Sequence, residues 1–383
     1  MNKNNWKKSR FQTGVQLMAV ILVLTAFLSG CTSESEKNPE DDRLSVITTL
    51  FPYYDFARAI AGDRINLQLI LPPGQESHSF EPTAADLIAM EDADVLIFNG
   101  GEGEQWVNRV LESGIGPDVC LEGMEVVSLR EEEHSENMKV IGHSHDHEGH
   151  AHEEGEACSE GTDETEDAHE GHAHEEGEAC EEETVHGEEN GETEKDHDHV
   201  HEEGGTDGYD EHIWTSPVNA ILLTEAIRDL LIEELPQYEE EFTENANAYM
   251  EQLTEIDREI RQVTKEAQRN VLIFADRFPF LYFVKEYGLD YDAAFSGCSH
   301  DTEPSAAMIA GLIDRVTEEQ IPVIFHVEQS SRKTAVIIAE STGAQIMEFH
   351  SCHNVTRQEM ENGVTYVELM RRNIECLKRG LGC

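Results

Sequence analysis

The segment from Glu131 to Glu211 constrains the fold most, because it cannot belong to a core. It holds 32 acidic residues against Lys139 and Lys195, a local charge of −30 out of −53 for the 383-residue chain. It also holds 13 of the 19 histidines, and "EGHAHEEGEAC" occurs in it twice unchanged, at 148–158 and 170–180. So few aliphatics with so much charge cannot bury enough apolar surface to offset the entropy of ordering, so disorder is expected over residues 131–208. Any fold must therefore be built from the two flanks. An acidic balance this strong also excludes nucleic acid, which needs a basic surface.

Both flanks read as α/β. In the first, "SVITTL", "NLQLIL" and "VLIF" at residues 95–98 are apolar runs of strand length separated by helical patterns, and Thr83 with Asp86 forms a capping box before one helix. In the second, "NVLIFAD", "IPVIFHVEQ" and "AQIMEFH" are strands, with helices expected at residues 304–315 and 333–341. Between the flanks Phe242, Ala246, Tyr249, Leu253, Ile256, Ile260, Val263 and Ala267 recur at steps of four and three. Such a narrow apolar stripe describes one long helix lying against a body on one side. The expected fold class is α/β: two lobes of parallel-type sheet with flanking helices, an N-terminal lobe over 44–235 and a C-terminal lobe over 270–383, joined by a rigid helix over 236–269.

Ahead of the first lobe, Lys3, Lys7, Lys8 and Arg10 precede an apolar run at residues 14–28 that ends in "LSGC". Residues 1–30 read as an export signal, Cys31 as a lipidated N-terminus of bacterial lipoprotein type, and residues 31–43 as a tether. The expected location is extracytoplasmic, lipid-anchored to the outer face of the bacterial cell membrane. Cys120, Cys298, Cys352, Cys376 and Cys383 are left over in odd number, and no disulfide framework follows from them.

Outside the acidic segment six histidines remain: His78, His212, His300, His326, His350 and His353. His78 lies in a loop after a strand and before a capped helix, His212 immediately before a helix in "DEHIWTSP", and His350, Cys352 and His353 straight after a strand in "EFHSCHNV". Loops at strand ends are where α/β folds place their sites, so three imidazole-bearing loops are expected to converge between the lobes.

"PPGQESHSFEPTAAD", "DEHIWTSPVNA", the long helix and "YFVKEYGL" together resemble the solute-binding proteins of ABC transporters for zinc and manganese, over residues 44–370 apart from the acidic segment. Many zinc members of that family carry a histidine-rich acidic loop at the same place. The resemblance implies a metal held by four side chains, two from each lobe. It puts the first on His78, the second on His212 and the fourth on His350, while the third falls on Arg277, which stays protonated and cannot bind metal. Asp276, Cys298, His300, His353 or water is left to replace it, with His353 and Cys298 leading, and Arg277 is expected to pair with Asp276 or Glu303.

Three imidazoles with one further donor favour Zn²⁺ over Mn²⁺. The implied function is an extracytoplasmic receptor, expected to be monomeric, that captures zinc and delivers it to a membrane permease. The acidic segment would supply many weak metal sites beside the tight one. A surface zinc-buffering or adhesin lipoprotein, or a manganese receptor, is the alternative. An enzyme is not expected: HExxH and the G-x-S-x-G elbow are both missing, and no general base stands beside an open zinc position.

Overall fold

The computed structural model describes residues 43–77, 79–133, 208–295 and 304–383. The export signal, Cys31, His78, nearly all of the acidic segment, Cys298 and His300 therefore lie outside the described residues. In chain order the first flank contains β1 (Leu44–Thr48), α1 (Phe51–Ala61), β2 (Ile65–Leu69), α2 (Ala84–Glu91), β3 (Val95–Phe98), α3 (Gln105–Glu112) and β4 (Val119–Glu122). After the acidic segment come α4 (Pro217–Glu234) and the long α5 (Glu239–Glu266). The second flank contains β5 (Val271–Phe274), α6 (Leu281–Tyr287), β6 (Asp290–Ala293), α7 (Ala306–Glu318), β7 (Val323–His326), α8 (Lys333–Thr342), β8 (Gln345–Glu348), α9 (Arg357–Glu361) and α10 (Tyr366–Leu381).

Two four-stranded sheets result, ordered β2-β1-β3-β4 and β6-β5-β7-β8, with every pairing parallel. The central strands β1, β3, β5 and β7 are nearly continuous Val, Ile, Leu and Phe, as strands covered on both faces must be. In each sheet the winding reverses beside the strand that opens it, between β1 and β3 and between β5 and β7. Loops leaving the carboxyl ends of strands at such a reversal splay apart and leave a crevice.

The expected stripe is the buried face of α5: Phe242, Ala246, Tyr249, Leu253, Ile256, Ile260 and Val263. Ala267 falls one residue past the last turn, and Pro236–Tyr238 forms a separate 3₁₀ turn before the first, so the helix is shorter at both ends than the residues 236–269 expected. At 28 residues it is roughly 40 Å long. It packs on α1 and α4 of the first flank and on α10 of the second, and one apolar core runs from Val46 and Phe56 through this face to Phe274 and Leu377.

A buried polar joint sits in that core. Asp55 of α1 accepts hydrogen bonds from Tyr249 Oη (2.6 Å) on the long helix and from the backbone N–H of Tyr366 (2.7 Å) at the start of α10, and it pairs with Arg58. Tyr366 Oη in turn donates to the Trp214 carbonyl (2.7 Å).

Candidate metal centre

A cavity of about 400 Å³ opens where the two sets of strand-end loops meet. Its walls include Ser77 and Glu76 from the loop after β2, His212 from the segment before α4, Asp276 and Arg277 from the loop after β5, Glu328 from the loop after β7, and His353 from the loop after β8. Both lobes therefore contribute imidazole to one space.

His212 is held from two sides. Its backbone N–H donates to Asp210 Oδ1 (2.8 Å), and its ring Nδ1 lies 3.3 Å from the same oxygen, with both side chains buried. A carboxylate at Nδ1 keeps the ring proton there and puts the ring's lone pair on Nε2. Burial pulls the ring's pKa down, yet Asp210, Glu211 and Glu132 together outweigh burial, and the net direction is up. Asp210 is fixed by the opposite lobe: its carbonyl accepts from Tyr282 Oη (2.9 Å) on α6.

His353 owes its place to the turn before it. Cys352 is buried with φ at 63°, a left-handed conformation that costs a non-glycine residue energy, and it throws the next side chain toward His212. The His353 N–H donates to Ser351 Oγ (3.2 Å), which itself donates to Glu328 Oε1 (2.5 Å), while Glu328 Oε2 accepts the Ser351 N–H (2.7 Å). The His353 carbonyl accepts from the Phe51 N–H (3.3 Å) at the head of α1. The His212 and His353 ring centroids are 5.8 Å apart and nearly perpendicular. Asn354 Nδ2 donates to the carbonyls of Pro72 and Gln75, 2.8 Å each, tying this turn to the loop of the other lobe that leads into His78.

His350 takes a different position from the one expected. It is buried, does not line the cavity, and accepts the Cys352 N–H on Nδ1 (2.9 Å). A neutral ring that accepts at Nδ1 carries its proton on Nε2, so neither nitrogen offers a free lone pair. The physical reason is the turn itself: the left-handed Cys352 folds the chain back over His350 and swings His353 outward instead. The Cys352 thiol is pushed well above its usual range, first by burial and then by Glu328, and Cys352 is not on the cavity wall. Cys120, Cys352, Cys376 and Cys383 are free thiols among the described residues. His326 is buried with Nδ1 against the Val327 carbonyl (2.8 Å), a structural role.

Arg277 lines the cavity, and its Nη1 pairs with Glu76 Oε1 across the lobes (3.2 Å). Asp276 receives only its backbone N–H (3.0 Å), so the expected side-chain pairing is replaced by the cross-lobe one, and Glu303 lies outside the described residues. Among the described residues no three metal-binding side chains converge; His212 and His353 form a two-imidazole nucleus. Asp210 at the His212 ring, Glu328, which anchors the turn before His353, and the clamp Asn354 were not singled out from sequence. Asp210 stands two residues before His212 in "DEH", a local signal that was there to be read.

The family described as zinc-uptake complex component A, periplasmic (ZnuA), matches residues 46–380. Zinc-binding lipoprotein AdcA of Streptococcus pneumoniae is 28% identical over 353 residues, which are 92% of this chain and 58% of AdcA, so the chain spans little more than half the length of that relative. The high-affinity zinc uptake system protein ZnuA of Bacillus subtilis is 27% identical over 373 residues, covering 96% of this chain and 97% of that one. In fold, the chain is similar to the Zn(II)-bound ZnuA-like domain of Streptococcus pneumoniae AdcA, with a TM-score of 0.61 and 24% identity over 89% of this chain and 100% of the domain.

Proposed function

The chain belongs to the zinc-uptake complex component A family, and from that premise we propose that it is the zinc receptor of an ABC importer, capturing Zn²⁺ between its lobes and passing it to a membrane permease. The observation that carries this reading is the pair His212 and His353, one imidazole from each lobe, on the wall of one cavity. Two neutral imidazoles whose backbones are held by carboxylate-anchored turns make a borderline-soft site, which suits zinc better than the oxygen-rich sets preferred by manganese. His78 is the third ligand in this reading, since it follows Ser77 on the cavity wall, and His353 takes the role first assigned to His350. Relatives named as zinc-binding and zinc-uptake proteins support the same cargo.

The receptor is placed outside the cytoplasmic membrane, held by lipid on Cys31. Among the described residues no helix is long and apolar enough to cross a membrane. The test is calorimetric zinc titration of the chain beginning at Thr32. Tight binding at one zinc per chain is expected, with His78→Ala, His212→Ala and His353→Ala each weakening it by about 100-fold or more and His350→Ala having a much smaller effect. A tight site that survives His212→Ala and His353→Ala unchanged would overturn the assignment.

A further inference from the structure

The cavity holds features that a bare cation leaves unused. Arg277 is the one lysine or arginine among its lining residues. A guanidinium never ligates metal, but its planar fork of five N–H donors matches a carboxylate. Among the described residues the Arg277 side chain makes one contact, from Nη1 to Glu76 Oε1 at 3.2 Å, and the Glu76 side chain is 47% exposed. A pair so open to water stabilises little, so an incoming carboxylate can share the fork or replace Glu76 on it.

Two hydroxyls point the same way. Ser77 Oγ and Ser330 Oγ are both buried, both belong to residues lining the cavity, and neither has a hydrogen-bond partner among the described residues. Buried polar atoms left unpaired are costly and are normally satisfied, so a polar ligand in the cavity would answer both. The volume, about 400 Å³, falls within the range of small-molecule sites, roughly 300–1,000 Å³. Both Glu328 oxygens accept from Ser351, and Asp276 Oδ1 accepts the Arg277 N–H.

We infer that the cleft takes zinc together with a small carboxylate ligand, an amino acid or a hydroxy acid, with the carboxylate bound to the Arg277 fork and the ligand's other polar groups meeting Ser77 and Ser330. This rests on the zinc-receptor reading and adds to it a second ligand in the same cavity. No covalent bond forms or breaks; the carboxylate takes the place of water, or of Glu76, on the guanidinium.

Equilibrium dialysis of the full chain tests it, with radiolabelled L-histidine in one arm and radiolabelled citrate in the other, each with and without one equivalent of zinc. Label is expressed per zinc bound, and zinc uptake is measured separately in carboxylate-free buffer. About one label per zinc is expected in at least one arm, and which arm retains it identifies the source as amino acid or hydroxy acid. Retention should weaken about tenfold or more in Arg277→Gln, with Arg277→Lys, which keeps the charge but loses the fork, falling between. A chain that binds one zinc in carboxylate-free buffer yet retains neither label at millimolar concentration overturns the inference while leaving the receptor reading intact. So does retention per zinc that is unchanged in both Arg277 variants. A chain that binds no zinc in any arm overturns both.

Discussion

Asp210 decides which nitrogen of His212 carries the ring proton. Because its Oδ1 receives the His212 backbone N–H and faces ring Nδ1, and because both groups are buried, the alternative tautomer would set a lone pair against a carboxylate. Asp210→Asn keeps the size and an acceptor but removes the charge, so zinc affinity, read by competition with a chromophoric chelator, should fall about 10–100-fold. Glu104, in the loop after β3, makes a separate prediction. Burial pushes its carboxyl up to about 7, against the pull of N–H bonds from Asn99 and Gly100 at 2.6 and 3.1 Å. The folded state then holds the proton more tightly than an unfolded chain with a carboxyl near 4.5, so this residue's contribution to stability falls as pH rises from about 4.5 through about 7, by roughly 3 kcal/mol in all. Glu104→Gln removes that penalty, and its melting temperature relative to the parent should climb between pH 5 and pH 8; a constant difference would contradict the buried, proton-holding carboxyl. At this scale sequence named both His212 and His353, but within the last loop it put His350 ahead of His353. His350 and His353 stand three apart in one loop, and only the left-handed backbone at Cys352 separates the one that lines the cavity from the one that does not.

Elements were more legible than residues where their signal is local. The steps of four and three that define the buried face of α5, and the Thr83–Asp86 box that starts α2, depend on neighbours within a turn or two, and both are present. The edge strands β4 (VCLE) and β6 (DYDA) escaped notice because they are four residues long, and the polar residues in each leave no apolar run. Their identity comes from parallel pairing with β3 and β5, which a local pattern does not carry. The joint at Asp55 is less local still, since its partners Tyr249 and Tyr366 are 194 and 311 residues away in sequence. It joins the first flank, the long helix and the second flank at one carboxylate. Asp55→Ala leaves two donors and the Arg58 charge without their acceptor and should cost about 3–5 kcal/mol, measured by urea unfolding. Tyr249→Phe removes one bond while Asp55 keeps its other partners, and about 1–2 kcal/mol is expected. Equal losses for the two would mean that the carboxylate is not the centre of the joint.

At the scale of the molecule, the acidic segment leaves and re-enters at a single point. Glu131 and Tyr209 form an antiparallel bridge, the Glu132 N–H donates to the Gly208 carbonyl and the Asp210 N–H to the Arg130 carbonyl, both at 2.9 Å. Tyr282 of the second lobe closes this stem, accepting the Arg130 N–H (3.0 Å) as it donates to Asp210, and Lys285 and Tyr291 hold Glu133 beside it. Since the two ends are already paired as a hairpin is, an Asn-Gly turn can join Glu133 to Gly208 without moving Asp210 or His212. A chain with residues 134–207 replaced in this way should fold with a melting temperature within a few degrees of the parent. Its zinc titration should lose the weak sites, for which the 13 histidines of the segment are the natural donors, and keep the tight one. Zinc bound only by the folded state stabilises it by about 2.7 kcal/mol at a free concentration 100 times Kd, so the zinc-induced rise in melting temperature should be the same in both chains at equal saturation of the tight site. A shortened chain that folds but gains nothing from zinc would mean that a histidine of the segment enters the cleft as a ligand, and that two lobes and their loops are not a complete receptor.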